Sequence, residues 1–153
     1  MAVTIIAVIG GRQASEKHLA WAEELGRLIA SRGAILITGG LTGIMEAASK
    51  GARDSGGLVV GVLPTEDISS ANPYVTVPIA TGLGIGRNII IARTAHALIA
   101  VGGQFGTLSE IAFGLQLGKP VIGLESWKIE GMLEARTPEE AVNLAFERIA
   151  DVS

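Results

Sequence analysis

Residues 97–118 read ALIAVGGQFGTLSEIAFGLQLG. Ala97–Val101 is apolar at every position and too short for a helix, which predicts a strand buried on both faces of a parallel sheet. Gly102, Gly103 and Gly106 then make a turn. Apolar residues at helical spacing follow, and they predict a helix over Thr107–Leu117 that Gly118 ends. Strand, glycine turn and helix in direct succession is half of a βαβ unit.

The same unit recurs in both directions along the chain. Strands are predicted at Thr4–Ile9, Ala34–Thr38, Leu58–Leu63, Tyr74–Pro78 and Pro120–Leu124. Between them, Ser15–Ser31 places Trp21, Leu25, Leu28 and Ile29 at helical spacing. Gly43–Ser55 and Ile85–Ala95 read as two further helices. In TPEEAVNLAFERIA, Thr137 is the predicted N-cap of a last helix, with Pro138 at its first position and Glu140 completing a capping box. Pro64–Pro73 is the one long irregular piece, expected to loop over an edge of the site. Strict alternation gives an α/β fold: one doubly wound parallel sheet with helices on both faces, as a single domain over residues 1–153.

Composition narrows the function. The chain is 48% hydrophobic but only 4% aromatic, so Ile, Leu, Val and Ala build its core. A net charge of −3 offers no basic face for nucleic acid. With no cysteine there is no disulfide and no thiolate nucleophile or ligand. His18 and His96 lie far apart and are read as structural, so no metal site is expected. Arg93 and His96 interrupt the apolar run around residue 95, so no membrane span is expected. The N-terminal residues lack the pattern of a secretory signal, which sets the expectation of a cytoplasmic protein.

Glycines cluster after strands: Gly10 and Gly11 after the first, Gly39, Gly40 and Gly43 after the second, Gly86 at the opening of the third helix, and Gly102, Gly103 and Gly106 after the fifth. All strand C-termini of a parallel sheet share one edge, where ligands bind. Glycine lets peptide N–H groups approach an anion, and helix N-termini add partial positive charge. A backbone-lined groove for a small-molecule phosphate ester is expected, with Gln104 and Thr107 in its lining. No G-x-G-x-x-G with an acidic residue after strand two exists, and no Walker sequence, which disfavours a conventional NAD site and excludes a Walker-type NTPase.

Two charged residues stand in this setting. Arg87 opens a helix, where a cation opposes the dipole; an anionic ligand or a buried carboxylate would explain it. Glu110 lies three residues after Thr107, the spacing of a capping box. The same glutamate also follows a glycine turn at a strand end, which suits a carboxylate facing the groove. Both roles are compatible if Thr107 caps and Glu110 faces inward. Met45 and Phe113 are expected in packing, and Trp127 at the rim or in a solvated loop.

LITGGLTGIMEAASKGA, GRNIIIARTAHALIAVGGQFGTLSEIAFGLQLGKPVIGL and TPEEAV together resemble the SMF/DprA–LOG superfamily of Rossmann-like proteins, over nearly the whole chain. The resemblance implies a nucleotide-binding Rossmann-like domain that needs no cofactor for itself. It also implies a homodimer or higher homo-oligomer built around the third and fourth helices. Members include LOG phosphoribohydrolases, which split the N-glycosidic bond of a cytokinin nucleoside monophosphate, and molybdenum cofactor carrier proteins. Arg87 and Glu110 fall at the catalytic positions of the LOG signature, and Gly103, Gly106 and Thr107 match it. Gly102 replaces its proline, Gln104 its second glycine, Asn88 a lysine and Ser109 an acidic residue. These departures favour the carrier branch, whose cargo is a nucleotide-like or molybdopterin-like phosphate ester. Phosphoribohydrolase activity is the alternative. The "lysine decarboxylase" label some members carry finds no support in these lysines.

Overall fold

The computed structural model describes residues 3–152; residues 1, 2 and 153, the outer limits of the expected domain, lie outside the described ones. Seven strands form one sheet: β1 (Ile5–Gly10), β2 (Ile35–Thr38), β3 (Val59–Leu63), β4 (Val77–Ala80), β5 (Ala97–Val101), β6 (Val121–Leu124) and β7 (Leu133–Glu134). Their spatial order is β4-β3-β2-β1-β5-β6-β7, and every pairing is parallel. The chain thus steps outward from β1 to β4, crosses back, and starts again at β5 beside β1. That reversal between β1 and β5 is the topological switch point, where open α/β sheets leave a crevice.

Five helices cover the sheet: α1 (Glu16–Ser31), α2 (Ile44–Asp54), α3 (Arg87–Thr94), α4 (Phe105–Gln116) and α5 (Pro138–Val152). Alternation along β1 shows how the two faces are filled. Ile6 and Val8 join Leu25, Ile29, Ile44, Ala48 and Val142 in a core under α1, α2 and α5. Ala7 and Ile9 join Ile37, Val62, Ile91 and Ile111 in a second core under α3 and α4. Successive side chains of a strand point to opposite faces, so two cores back to back make the strand continuously apolar.

Most boundaries shift by one or two residues, the third helix starting at Arg87 rather than Ile85, and three differences bear on the site or the sheet edges. The fourth strand runs over Val77–Ala80 rather than Tyr74–Pro78, because Val60–Leu63 of β3 pairs with residues 77–80. It is an edge strand, and Pro78 is accommodated there. Strand β7 is only two residues long and carries too little pattern to read. Helix α4 starts at Phe105, two residues before Thr107. Gly102 (φ 53°) and Gly103 (φ 98°) complete the turn so tightly that Gln104 already takes the N-cap position. The α5 start is as expected: Thr137 Oγ1 accepts from Glu140 N at 3.1 Å.

Candidate functional site

Parallel pairing puts every predicted glycine turn on one edge. Gly10 ends β1 and Gly11 follows it; Gly39, Gly40 and Gly43 link β2 to α2; Gly86 precedes α3; Gly102, Gly103, Gln104, Gly106 and Thr107 join β5 to α4. Not all offer an amide. Gly40 N–H donates to Thr38 Oγ1 at 3.0 Å and Gly102 N–H to Leu124 O at 3.1 Å. These two shape their turns. In contrast, the N–H groups of Gly103, Gln104, Phe105, Gly106 and Thr107 find no acceptor among the described residues. They form a run of donors at the N-terminus of α4, where the dipole already favours an anion. Gln104 supplies no side-chain cap.

Thr107 lies directly under this turn. A Cβ on Gly103 would stand 2.4 Å from Thr107 Oγ1, so only glycine lets the backbone pass. Thr107 is 3% exposed and its hydroxyl has no partner among the described residues. It is therefore not the helix cap that its spacing to Glu110 suggests. Every sealed side-chain oxygen or nitrogen among the described residues is hydrogen-bonded, so the unpartnered hydroxyl must reach solvent.

Glu110, one turn further along α4, is 7% exposed and its carboxyl likewise has no hydrogen-bond partner among the described residues. Burial pushes its carboxyl up to about 8, against the opposing pull of the Arg87 charge. It is thus largely protonated at neutral pH, because a charge in so dry a site is costly. Arg87 and Glu110 are not in ion-pair contact but sense each other through space.

Arg87 is the first residue of α3 and is buried. Its Nε donates to Val62 O at 2.8 Å and its Nη2 to Gly39 O at 3.4 Å, while Nη1 donates to Asn88 Oδ1. The guanidinium therefore ties the ends of β2 and β3 to α3, and these carbonyls offset the unfavourable dipole. With five N–H donors available, two remain for a ligand. A Cβ on Gly39 would fall 2.6 Å from Arg87 Nη2, so that glycine gives the guanidinium its place. Asn88 Nδ2 in turn donates to Ser109 Oγ at 3.1 Å, linking α3 to α4. Burial holds the Arg87 pKa below its usual value, Glu110 opposes that shift, and Arg12 adds to it.

The rim is built from neighbouring loops. Trp127 Nε1 donates to Gln104 O at 3.1 Å, and Ser126 Oγ to Gly102 O at 2.6 Å, which pins the loop after β6 to the glycine turn. Phe105 tilts against Trp127 and is 79% exposed. Asn72, in the irregular segment, fastens to the turn after β2 through Leu41 O at 2.8 Å. The two histidines are placed differently: the His18 ring abuts the glycine turn, where a Cβ on Gly102 would fall 2.8 Å from its Nδ1. His96 Nδ1 accepts from Ile5 N at 3.0 Å, a structural bond. His18 Nε2 stands 2.9 Å from Glu125 Oε1. Phe113, expected in packing, is 36% exposed. A concavity of about 560 Å³ on the outer face of α1 and α2 is a different feature. Both cations of its lining are paired, Arg27 with Glu24 and Lys50 with Asp54.

Residues 3–150 match the sequence profile of the SLOG cluster4 family. The chain belongs to that family. An uncharacterized protein from Archaeoglobus fulgidus is 48% identical over 139 residues, covering 90% of this chain and 91% of its own. The molybdenum cofactor binding protein of Rippkaea orientalis superposes with a TM-score of 0.93 at 37% identity, covering 97% of this chain and 99% of that one. The molybdenum cofactor carrier protein of Chlamydomonas reinhardtii gives 0.88 at 36% identity, again covering 97% and 99%. The rice cytokinin riboside 5′-monophosphate phosphoribohydrolase LOG is more distant: 35% identical over 66% of this chain and 42% of its own length. Sequence reading gave Arg12, which bears on the Arg87 charge, no role, since a lone arginine in a loop carries no spacing signal.

Proposed function

We propose that this protein binds a small-molecule phosphate ester, molybdopterin-like or nucleotide-like, at the glycine-lined strand ends, and carries it. The observation that bears this reading is the run of five unpartnered amides at the start of α4, beside a buried arginine. Donors in that arrangement suit phosphate oxygens, which accept several hydrogen bonds at once. The carrier likeness at 36–37% identity over nearly the full chain supports the choice of cargo. For a molybdenum cofactor, the residues fit the phosphate end. The sequence has no cysteine, and no cluster of three or more His, Cys, Asp or Glu among the described residues could hold the metal. The grip would therefore fall on the organic part of the cargo.

Two features weigh against the phosphoribohydrolase alternative. Glu110 is largely protonated at pH 7, so it is a poor anionic stabiliser for a cationic sugar transition state. Asn88, where the LOG signature has lysine, is committed to Arg87 and Ser109. Mass spectrometry of the natively purified protein tests the reading. The expected result is a retained phosphate ester bearing a planar heterocycle, and a rise in melting temperature on adding AMP or molybdopterin, by mass action. No retained ligand together with no shift at millimolar concentration overturns it. Release of free adenine from AMP would transfer the assignment to the hydrolase.

A further inference from the structure

A second cation stands beside this site without a partner among the described residues. Arg12 follows Gly10 and Gly11 in the loop between β1 and α1, at the switch point. Its backbone is fixed against the turn after β2. Ile44 N donates to Gly11 O at 3.0 Å, and Thr42 Oγ1 to Arg12 O at 3.2 Å. A Cβ on Gly43 would lie 2.4 Å from the Arg12 carbonyl, so the two loops touch. The other end of the same turn, Gly39, abuts the Arg87 guanidinium. One five-residue turn thus braces both arginines. The Arg12 guanidinium itself has no hydrogen bond and no ion pair among the described residues.

The charges here do not balance. Arg12 acts on Arg87 through space as a like charge, and Glu110 is the sole carboxyl opposing it. That carboxyl is held largely neutral at pH 7. Two guanidiniums, one of them buried, therefore share an edge with almost no compensating negative charge, in a chain whose net charge is −3.

We propose that Arg12 is a second ligand-binding cation of this site, and that the Arg12–Arg87 pair selects the doubly charged terminal phosphate of a monoester over a singly charged diester. This rests on the anion-binding reading above and adds a ligand class to it. Arg87 and the α4 amides hold the phosphate from inside; Arg12 closes on it from the mouth. A monoester presents two negative charges to two guanidiniums, whereas a diester leaves one cation unpaired. Because Arg12 is exposed, its contribution is screened by salt, while that of buried Arg87 is screened much less.

The test compares 5′-AMP with the methyl ester of its phosphate, which has the same nucleoside and one charge fewer. Calorimetric titration of the wild type is expected to show preference for AMP. In Arg12→Gln, AMP affinity should fall about tenfold, the scale of one lost charge-assisted contact, with methyl-ester affinity nearly unchanged. Arg12→Lys should restore part of the preference. The melting temperatures of both variants should match wild type, since the side chain holds nothing in the fold. The AMP preference of the wild type should also shrink between about 0.05 and about 0.5 M salt. A wild type that binds both esters equally overturns the inference, as does an Arg12→Gln protein that keeps the preference or loses both esters alike. In all three cases the phosphate-ester reading stands. A wild type that binds neither ester overturns that reading, and this one with it.

Discussion

Glu110 is the residue with the clearest consequence for stability. Its carboxyl is pushed up to about 8 in the folded chain, from an ordinary value of 4.5. The folded state therefore holds a proton that the unfolded state has released across that interval. A raised carboxyl pKa stabilises fully below the unfolded value and loses that contribution as pH rises toward the folded value. We expect stability to fall by about 1.4 kcal/mol per pH unit between those limits, and to level off above them. Glu110→Gln, neutral at every pH, should remove this slope. Urea denaturation at about pH 5 should then give similar midpoints for both proteins, with the variant the more stable near pH 8. Parallel pH profiles would show that Glu110 is not buried as described. Arg87 and Glu110 were both legible as a pair in the sequence, because each breaks a local rule: a cation at a helix start and a carboxylate after a glycine turn. What was not legible is that Arg87 spends three donors on Val62, Gly39 and Asn88. Carbonyls that arrive from distant strand ends leave no trace in local spacing.

At the scale of elements, two helix starts with the same T-x-x-E spacing turn out differently. Thr137 caps α5 through Glu140 N. Thr107 sits inside the first turn of α4, and Gln104 holds the cap position without a side-chain bond. Spacing alone cannot separate these cases. Pro138 fixes the start of α5, whereas two positive-φ glycines pull the start of α4 forward. Thr137→Ala should therefore cost about 1 kcal/mol through the lost cap. Thr107→Val should leave stability near wild type, since the hydroxyl it removes has no protein partner, yet it should weaken phosphate-ester binding. Thermal denaturation and ligand titration of the two variants check the contrast. If Thr107→Val bound AMP as well as wild type, the open hydroxyl would have no part in the site. The strand–turn–helix rhythm was readable throughout, since continuous apolar runs mark the buried strands. Strand β4 was misplaced and β7 missed because edge strands are half exposed and lack such runs; β4 is largely exposed.

At the scale of the whole molecule, several large apolar side chains among the described residues lie outside both cores. Leu83 and Ile85, around the short 3₁₀ turn Gly84–Gly86, are 57% and 69% exposed, and Phe105 on α4 is 79% exposed. They flank the starts of α3 and α4, and exposed large apolar side chains mark an interaction surface where they form a continuous patch. No helix among the described residues is long and apolar enough to cross a membrane. The superfamily resemblance implies a homodimer contact around the third and fourth helices, and these residues flank the starts of both. We expect the protein to self-associate there, with the site next to the contact. Sedimentation over a range of concentrations should give a mass above 15.7 kDa, and Ile85→Glu should shift it toward the monomer, because a charge in an apolar contact is costly to desolvate. Ile85 is exposed in the single chain, so the substitution should leave the monomer's own melting temperature nearly unchanged. A wild type that stays monomeric at all concentrations, or an Ile85→Glu protein with unaltered mass, would remove this face from the interface. Phe105 would then be left to the ligand side of the rim, where its ring already leans on Trp127.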